Sequence, residues 1–386
     1  METIPRTIFT EDHDLFRQTV RDFAQQEIVP HNAEWEKAQM VSRESWLKMG
    51  ENGFLGLQVP EEYGGMGITD FRYNQIFTEE LARTGCAGPA IGYPLHNDIV
   101  IPYILDFGSH ELKSKYCPGM VSGELISSIA MTEPGAGSDL QGMKTTAVDK
   151  GDHYLVNGSK TFITNGYLCD ISVVAVKTDP TLGAKGISLL VMDANVDGFT
   201  KGKPFEKVGL HAQDTCELFF EDVKVPKENL IGEEGMGFKY LMTQLKQERL
   251  IVGIGAIGAC QYCLDETIRY TQERTAFRQP IAAFQNTRFK IAEMVAKIAQ
   301  GHAFVDHCVT LHNDGKLDAA MASMAKLNLS ELQCEVADEC VQLHGGYGYI
   351  WEYGVARSWA DARVQRIYAG TNEIMKELIA RKALDS

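Results

Sequence analysis

Tyr154-Leu-Val-Asn-Gly-Ser-Lys-Thr-Phe-Ile163 belongs to a region, beginning near Ile126, where the helical period gives way to a strand period. Two β-prone runs flank Asn157-Gly158, a dipeptide that favours the tight turn of a hairpin. Two short strands joined at that dipeptide are therefore expected. Residues 171–177, 186–192 and 217–225 are rich in Val, Ile and Phe and read as further strands. Strand follows strand with little room for crossover helices. An antiparallel barrel or sandwich is expected rather than a parallel sheet.

On either side the period is helical. Leu15, Phe16, Val20, Phe23 and Ile28 recur at helical spacing after an acidic start, until Pro30 interrupts. The pattern returns at 73–82 and 98–105, with a Pro- and Gly-punctuated loop, PEEYGGMG, at 60–67. Beyond Gly235-Met-Gly237, long helices are expected over 237–273, 282–312, 317–344 and 370–384, the lengths of a bundle. The expected class is α+β in three parts: a helical domain at 1–124, a β domain at 125–236 and a helical bundle at 237–386.

The chain has 386 residues, 44% hydrophobic and 23% charged, which suits a soluble protein of two or three subdomains. Its 37 basic and 52 acidic residues give a net charge of −15. That balance argues against nucleic acid or an anionic membrane as partner. Nine scattered cysteines read as reduced thiols. Cys260 and Cys263 form a lone CxxC, read as one helical turn rather than a metal site. METIPRTIFTEDHD has no apolar h-region, no apolar run is long enough for a membrane span, and LDS is no lipidation or targeting signal. A bacterial cytoplasmic enzyme fits; a processed mitochondrial-matrix form would look similar.

Three glycine clusters stand out. Gly253-Ile-Gly255-Ala-Ile-Gly258 matches GxGxxG, but its surroundings are helical, so a Rossmann turn is rejected in favour of close helix packing. Met131-Thr-Glu-Pro-Gly-Ala-Gly-Ser-Asp139 is a tight loop with free N–H groups and two hydroxyls. Such a loop suits a flavin or pyrophosphate, though an ordinary β-domain loop reads equally well from the residues alone. His344-Gly-Gly-Tyr-Gly348 reads as a helix C-cap and turn.

TEPGAGSD (132–139), NGSKTFITNG (157–166), QERLIVG (247–253) and the segment from QLHGG (342–346) through IYAGTNEIMKELIAR together resemble the acyl-CoA dehydrogenase family over essentially the whole chain. The segments look most like its long-chain subgroup, with the isovaleryl type second. The resemblance implies an N-terminal helical domain, a middle β-barrel and a C-terminal four-helix bundle. It also implies noncovalent FAD, a homotetramer, an acyl-CoA substrate and electron-transfer flavoprotein as partner. Ile129, Met131, Thr132, Gly137 and Ser138 would line the flavin and its phosphates. Phe162, Ile163 and Thr164 would meet the isoalloxazine. Arg274, Phe277 and Gln285 from a partner subunit, with Gln342, Leu343, Gly345 and Gly346, would meet the rest of FAD, and Thr371 and Glu373 would complete its site. The family's RxxFG turn reads Arg274-Thr-Ala-Phe-Arg278 here, with Arg in place of Gly.

The reaction so implied is α,β-dehydrogenation of an acyl-CoA thioester. A carboxylate takes the α-proton while the β-hydride moves to flavin N5, so base and flavin must sandwich the substrate. Many members carry the glutamate where this chain has Ala369, whose backbone N–H can still stabilise an enolate. Long-chain and isovaleryl enzymes resemble this chain in a Glu-Arg pair on the first bundle helix. By that resemblance Glu248 is the base, and Arg249, Ser138 and Gly370 lie near the substrate. Ala90 and Pro94, in the stretch Cys86–Leu95, would leave room for a medium, long or branched acyl chain. An acyl-CoA or nitroalkane oxidase, or a non-catalytic acyl-CoA or flavin-binding protein, remain alternatives.

Overall fold

The computed structural model describes residues 5–385; the first residues of METIPRTIFTEDHD and the last of LDS lie outside them. Seven helices open the chain: α1 (Glu11–Glu27), α2 (Asn32–Ala38), α3 (Arg43–Glu51), α4 (Arg72–Ala82), α5 (Ala87–Pro94), α6 (Ile101–Phe107) and α7 (His110–Ser122). Pro30 does interrupt, within a single 3-10 turn after α1. Ser42 and Ser109 begin α3 and α7 by accepting the N–H groups of Ser45 and Leu112. A π-helical turn, Leu95–Val100, joins α5 to α6. Prolines 94 and 102 flank it and withhold two N–H donors from regular α pairing.

The middle of the chain is a seven-stranded curled sheet: β1 (Ser127–Ala130), β2 (Thr146–Asp149), β3 (His153–Thr164), β4 (Ile171–Lys177), β5 (Ile187–Asp193), β6 (Phe199–Lys201) and β7 (Thr215–Pro226). It is antiparallel except where β1 and the start of β2 meet β4 in parallel. The expected hairpin at Asn157-Gly158 is not there. Both residues lie inside one continuous strand, β3, which pairs along its length with β7. The dipeptide marks a bulge instead. The Asn157 side chain exchanges hydrogen bonds with Asp222 Oδ1 and the Asp222 N–H, both at 2.9 Å, and replaces the missing ladder pairs. Gly158 has φ +148, and a Cβ there would lie 2.7 Å from Thr145 Cα, which explains the glycine. The turn falls at Lys150-Gly-Asp152, between β2 and β3, where the Lys150 N–H reaches the His153 carbonyl.

The bundle comprises α8 (Gly237–Glu273), α9 (Gln285–Asn313), α10 (Ala319–His344), α11 (Gly354–Ala362) and α12 (Asn372–Leu384). Its four long helices follow the predicted spans closely, and α11 is an addition. A small hairpin, β8 (Thr275–Ala276) and β9 (Gln279–Pro280), links α8 to α9. The GxGxxG glycines do serve close packing. A Cβ on Gly253 would come 3.2 Å from Leu329 on α10, and one on Gly258 would come 2.8 Å from the Glu79 carbonyl on α4. All nine cysteines are free thiols, and Cys260 and Cys263 sit one turn apart on the buried side of α8. No helix among the described residues is long and apolar enough to cross a membrane. One buried cluster joins Tyr103, Ile104 and Tyr116 of the first helices to Ile129, Val173 and Ile187 of the sheet and Leu241 of α8. The candidate site lies beside this junction.

Candidate active site

Glu248 and Arg249 stand on α8, 2% and 6% exposed. Facing them from α6, the Tyr103 hydroxyl donates to Glu248 Oε1 at 2.6 Å, and Tyr103 itself is wholly buried. Burial pushes the Glu248 carboxyl up to about 7, against the opposing pull of the Tyr103 hydrogen bond and the Arg249 charge. Arg249 is held below its ordinary value by burial, and its Nε has no partner among the described residues.

The segment Tyr368–Thr371 comes close to Arg249. Ala369 and Gly370 have φ +51 and +91, so consecutive left-handed residues bend the chain between the 3-10 turn after α11 and the start of α12. A Cβ added to Gly370 would lie 4.0 Å from Arg249 NH2. The Ala369 N–H donates to no protein group among the described residues. Lys326 of α10 fixes the turn from beneath: its Nζ donates to the Gly370 carbonyl at 2.8 Å and Asn372 Oδ1 at 2.7 Å. Burial, then the nearby Arg249 cation, lowers Lys326 to about 8. Thr371 caps α12 by accepting the Ile374 N–H, so its hydroxyl is already engaged, while Glu373 is exposed in the first turn.

A second group surrounds the loop 132–139. Lys160 is fully buried and donates to Glu133 Oε1 at 2.8 Å and to the Met131 carbonyl at 3.1 Å. Glu133 also accepts the N–H groups of Lys144 and Thr145. This ion pair ties the start of the loop to Lys144 and Thr145 ahead of β2, while the tip stays open. Cβ atoms on Gly135 and Gly137 would meet nothing within 4 Å, and the N–H groups of Gly135, Gly137 and Ser138 bond no protein acceptor among the described residues. Beside the loop, a second irregularity in β3 gives Phe162 φ +60 and turns its ring outward, 67% exposed. Met131, Thr132 and Thr164 are half-buried. Ile129 and Ile163 pack their side chains into the core. The open loop and the exposed aromatic face fit a flat, phosphate-bearing cofactor.

A third group lies at the far end of α8. The Arg274 guanidinium sits 5.6 Å from the Tyr347 ring, and Tyr270 stacks on His344 at 4.2 Å. These contacts bring the turn 342–346 beside Arg274. Gln285, Gln342, Gly345 and Gly346 are exposed, whereas Leu343 packs against the bundle core. Phe277 and Arg278 form the two-residue turn of the β8–β9 hairpin with φ +49 and +68. The arginine therefore occupies a backbone that favours glycine.

Ala90 lines a cleft of about 460 Å³, open mouth included, with Ala87 and Ile91 of α5 and Gly255, Ala259 and Tyr262 of α8. Pro94 is buried at the end of α5 and does not line it. Sequence reasoning missed Tyr103, Lys326 and Lys160. Tyr103 lay in an apolar helical run without distinction. Lys326 alone carried a signal, as a single cation in the small-residue stretch MASMAKLNLS.

Comparison with known proteins follows this architecture from end to end. Models of the acyl-CoA dehydrogenase N-terminal, middle and C-terminal domains match residues 10–124, 128–223 and 235–384. The chain is 51% identical to the mitochondrial long-chain specific acyl-CoA dehydrogenase of Mus musculus over 379 residues, 98% of this chain and 87% of that protein. It is 41% identical to the caffeyl-CoA reductase-Etf complex subunit CarC of Acetobacterium woodii, across 96% of this chain and 98% of that one. The crystal structure of acyl-CoA dehydrogenase from Geobacillus kaustophilus superposes with a TM-score of 0.95 at 51% identity, covering 98% of this chain and all of that one. The order helices, sheet, bundle is thus shared throughout, and the chain belongs to the acyl-CoA dehydrogenase family.

Proposed function

We propose that this acyl-CoA dehydrogenase uses FAD, acts on medium- to long-chain or branched acyl-CoA thioesters and takes the α-proton on Glu248. The buried Glu248 carboxylate carries the proposal. It neighbours Arg249, whose guanidinium the Gly370 turn approaches, and burial pushes it up to about 7, where it can both accept and release a proton. FAD, when bound, supplies the hydride acceptor. The loop 132–138, Phe162 and Thr164 would hold its ring end. The unpartnered Ala369 N–H would meet the thioester oxygen as enolate charge develops, and Lys326 would keep that N–H in place.

Arg274, which caps α8, lies about 40 Å from Glu248 at a rise of 1.5 Å per residue, and Gln285 and the turn 342–346 belong to the same exposed group. In this reading they serve the FAD of a second copy, as in a homotetramer. The small side chains beside Ala90 and the likeness to a long-chain specific relative support a longer acyl tail. The likeness to an Etf-complex subunit supports electron-transfer flavoprotein as the partner.

Anaerobic mixing with acyl-CoAs of increasing length tests the reading. Flavin bleaching is expected, with kcat/KM greatest above C8. A maximum at C4 contradicts the chain length. Protein that stays yellow with every acyl-CoA is a binding protein instead, and rapid peroxide release marks an oxidase.

A further inference from the structure

The Tyr103–Glu248 contact has a consequence beyond burial. Among the described residues, Tyr103 is the one side chain that hydrogen-bonds the Glu248 carboxylate, and it does so at a single oxygen, Oε1. Both groups are closed off from solvent, so no water competes for that position. A phenol O–H facing a carboxylate donates, and the bond favours the charged acceptor.

We propose that Tyr103 is the positioning residue of the base: it holds Glu248 by Oε1 and reserves Oε2 for the α-proton of the substrate. This rests on the reading of Glu248 as the base. In the step, the substrate Cα–H bond breaks, its proton bonds to Oε2 and the electron pair passes into the Cα–Cβ bond as the Cβ hydride leaves for the acceptor that bound FAD would supply. Tyr103 keeps its own proton throughout. Burial raises its hydroxyl well above the ordinary tyrosine value, with the neighbouring Glu248 charge adding to the rise.

The other charged groups nearby act differently. Arg249 neighbours Glu248 on α8 and pulls its carboxyl down by charge alone. Lys326 on α10 is committed to Gly370 and Asn372. Asp106 on α6 accepts from Gln244. Asp98, in the π-helical turn, accepts from Asn74, and burial pushes it up to about 8. Tyr368 and Glu373 flank the catalytic turn without bonding Glu248.

Removing the Tyr103 hydroxyl withdraws a bond to the charged form, so the carboxyl titrates higher and the base is lost sooner as pH falls. Tyr103→Phe holoenzyme should keep its FAD while the acid limb of kcat/KM moves up by about one unit. That is an about tenfold loss near pH 6, largely recovered near pH 9. Site-specific 3-fluorotyrosine at position 103, a stronger donor, should move the limb the other way, and it keeps the test open if the Phe variant does not fold. A limb that stays at the wild-type position in the folded variants overturns the proposal. Glu248→Gln run alongside separates the two readings. If it is inactive while the limb is unmoved, only the role of Tyr103 falls; if it turns over normally, the base assignment falls with it.

Discussion

The two ends of α8 are built on opposite terms. At Glu248 the helix packs a carboxylate, a guanidinium and the Tyr103 phenol out of contact with water, with Lys326 bracing the facing turn. At Arg274 the same helix ends in open surface, with Phe277 91% and nearby Tyr349 88% exposed. Large exposed aromatics grouped with an arginine mark a surface that another molecule covers. In the proposed reading the first end is a site that one chain completes, and the second is half of a site shared with another copy.

Glu248→Gln strikes the completed end hardest. The amide keeps the shape and can still accept from Tyr103, so only basicity is lost. Turnover should fall by on the order of 10² to 10⁴. FAD content and acyl-CoA binding should stay unchanged in ligand titrations. Near-normal anaerobic bleaching would remove the reason for treating this end as catalytic.

How much of each end was legible follows from the same contrast. The periods of the long helices and of strands β4, β5 and β7 carried the fold, because hydrophobic spacing records which face is buried. Asn157-Gly158 misled because a bulge and a hairpin ask for the same residues; only the side-chain pairing of Asn157 with Asp222 separates them, and that partner is distant in sequence. Glu248 was singled out as the base through the family resemblance and the missing carboxylate at Ala369. Tyr103 was not, since a tyrosine in an apolar helix announces burial and nothing about its hydroxyl. Lys160 and Lys326 were missed for a related reason. Each is a buried cation whose partners, Glu133 and the Gly370 carbonyl, are set by tertiary contact rather than spacing. The exposed end was legible only through motif likeness, because a surface awaiting a partner leaves no period in the chain.

Arg274→Gln tests whether the open end is shared. Losing one charge-assisted contact should weaken FAD retention by about tenfold to a hundredfold, read by fluorescence titration of the apoprotein. Co-assembly with Glu248→Gln subunits sharpens the test. If Arg274 serves a neighbouring copy, a mixed pair regains one intact site: the subunit with native Glu248 receives native Arg274 from its partner. Activity should then exceed that of either variant alone. If Arg274 serves its own chain, every mixed site stays defective and mixing restores nothing.

The smallest effect concerns Arg278. Its φ of +68 follows +49 at Phe277, the paired left-handed geometry of a two-residue hairpin turn. An L-residue with a Cβ pays roughly 1 kcal/mol there that glycine avoids. Arg278→Gly should therefore raise Tm by about 1–2 °C in the folded holoenzyme. Its FAD affinity should stay within about twofold of wild type, because the backbone already holds the turn without glycine. A fall in FAD affinity as large as that of Arg274→Gln would instead make the guanidinium a cofactor contact. The exposed end would then tolerate backbone strain for the sake of a charge, as the buried end, in the proposed reading, tolerates it at Ala369 for the sake of an N–H.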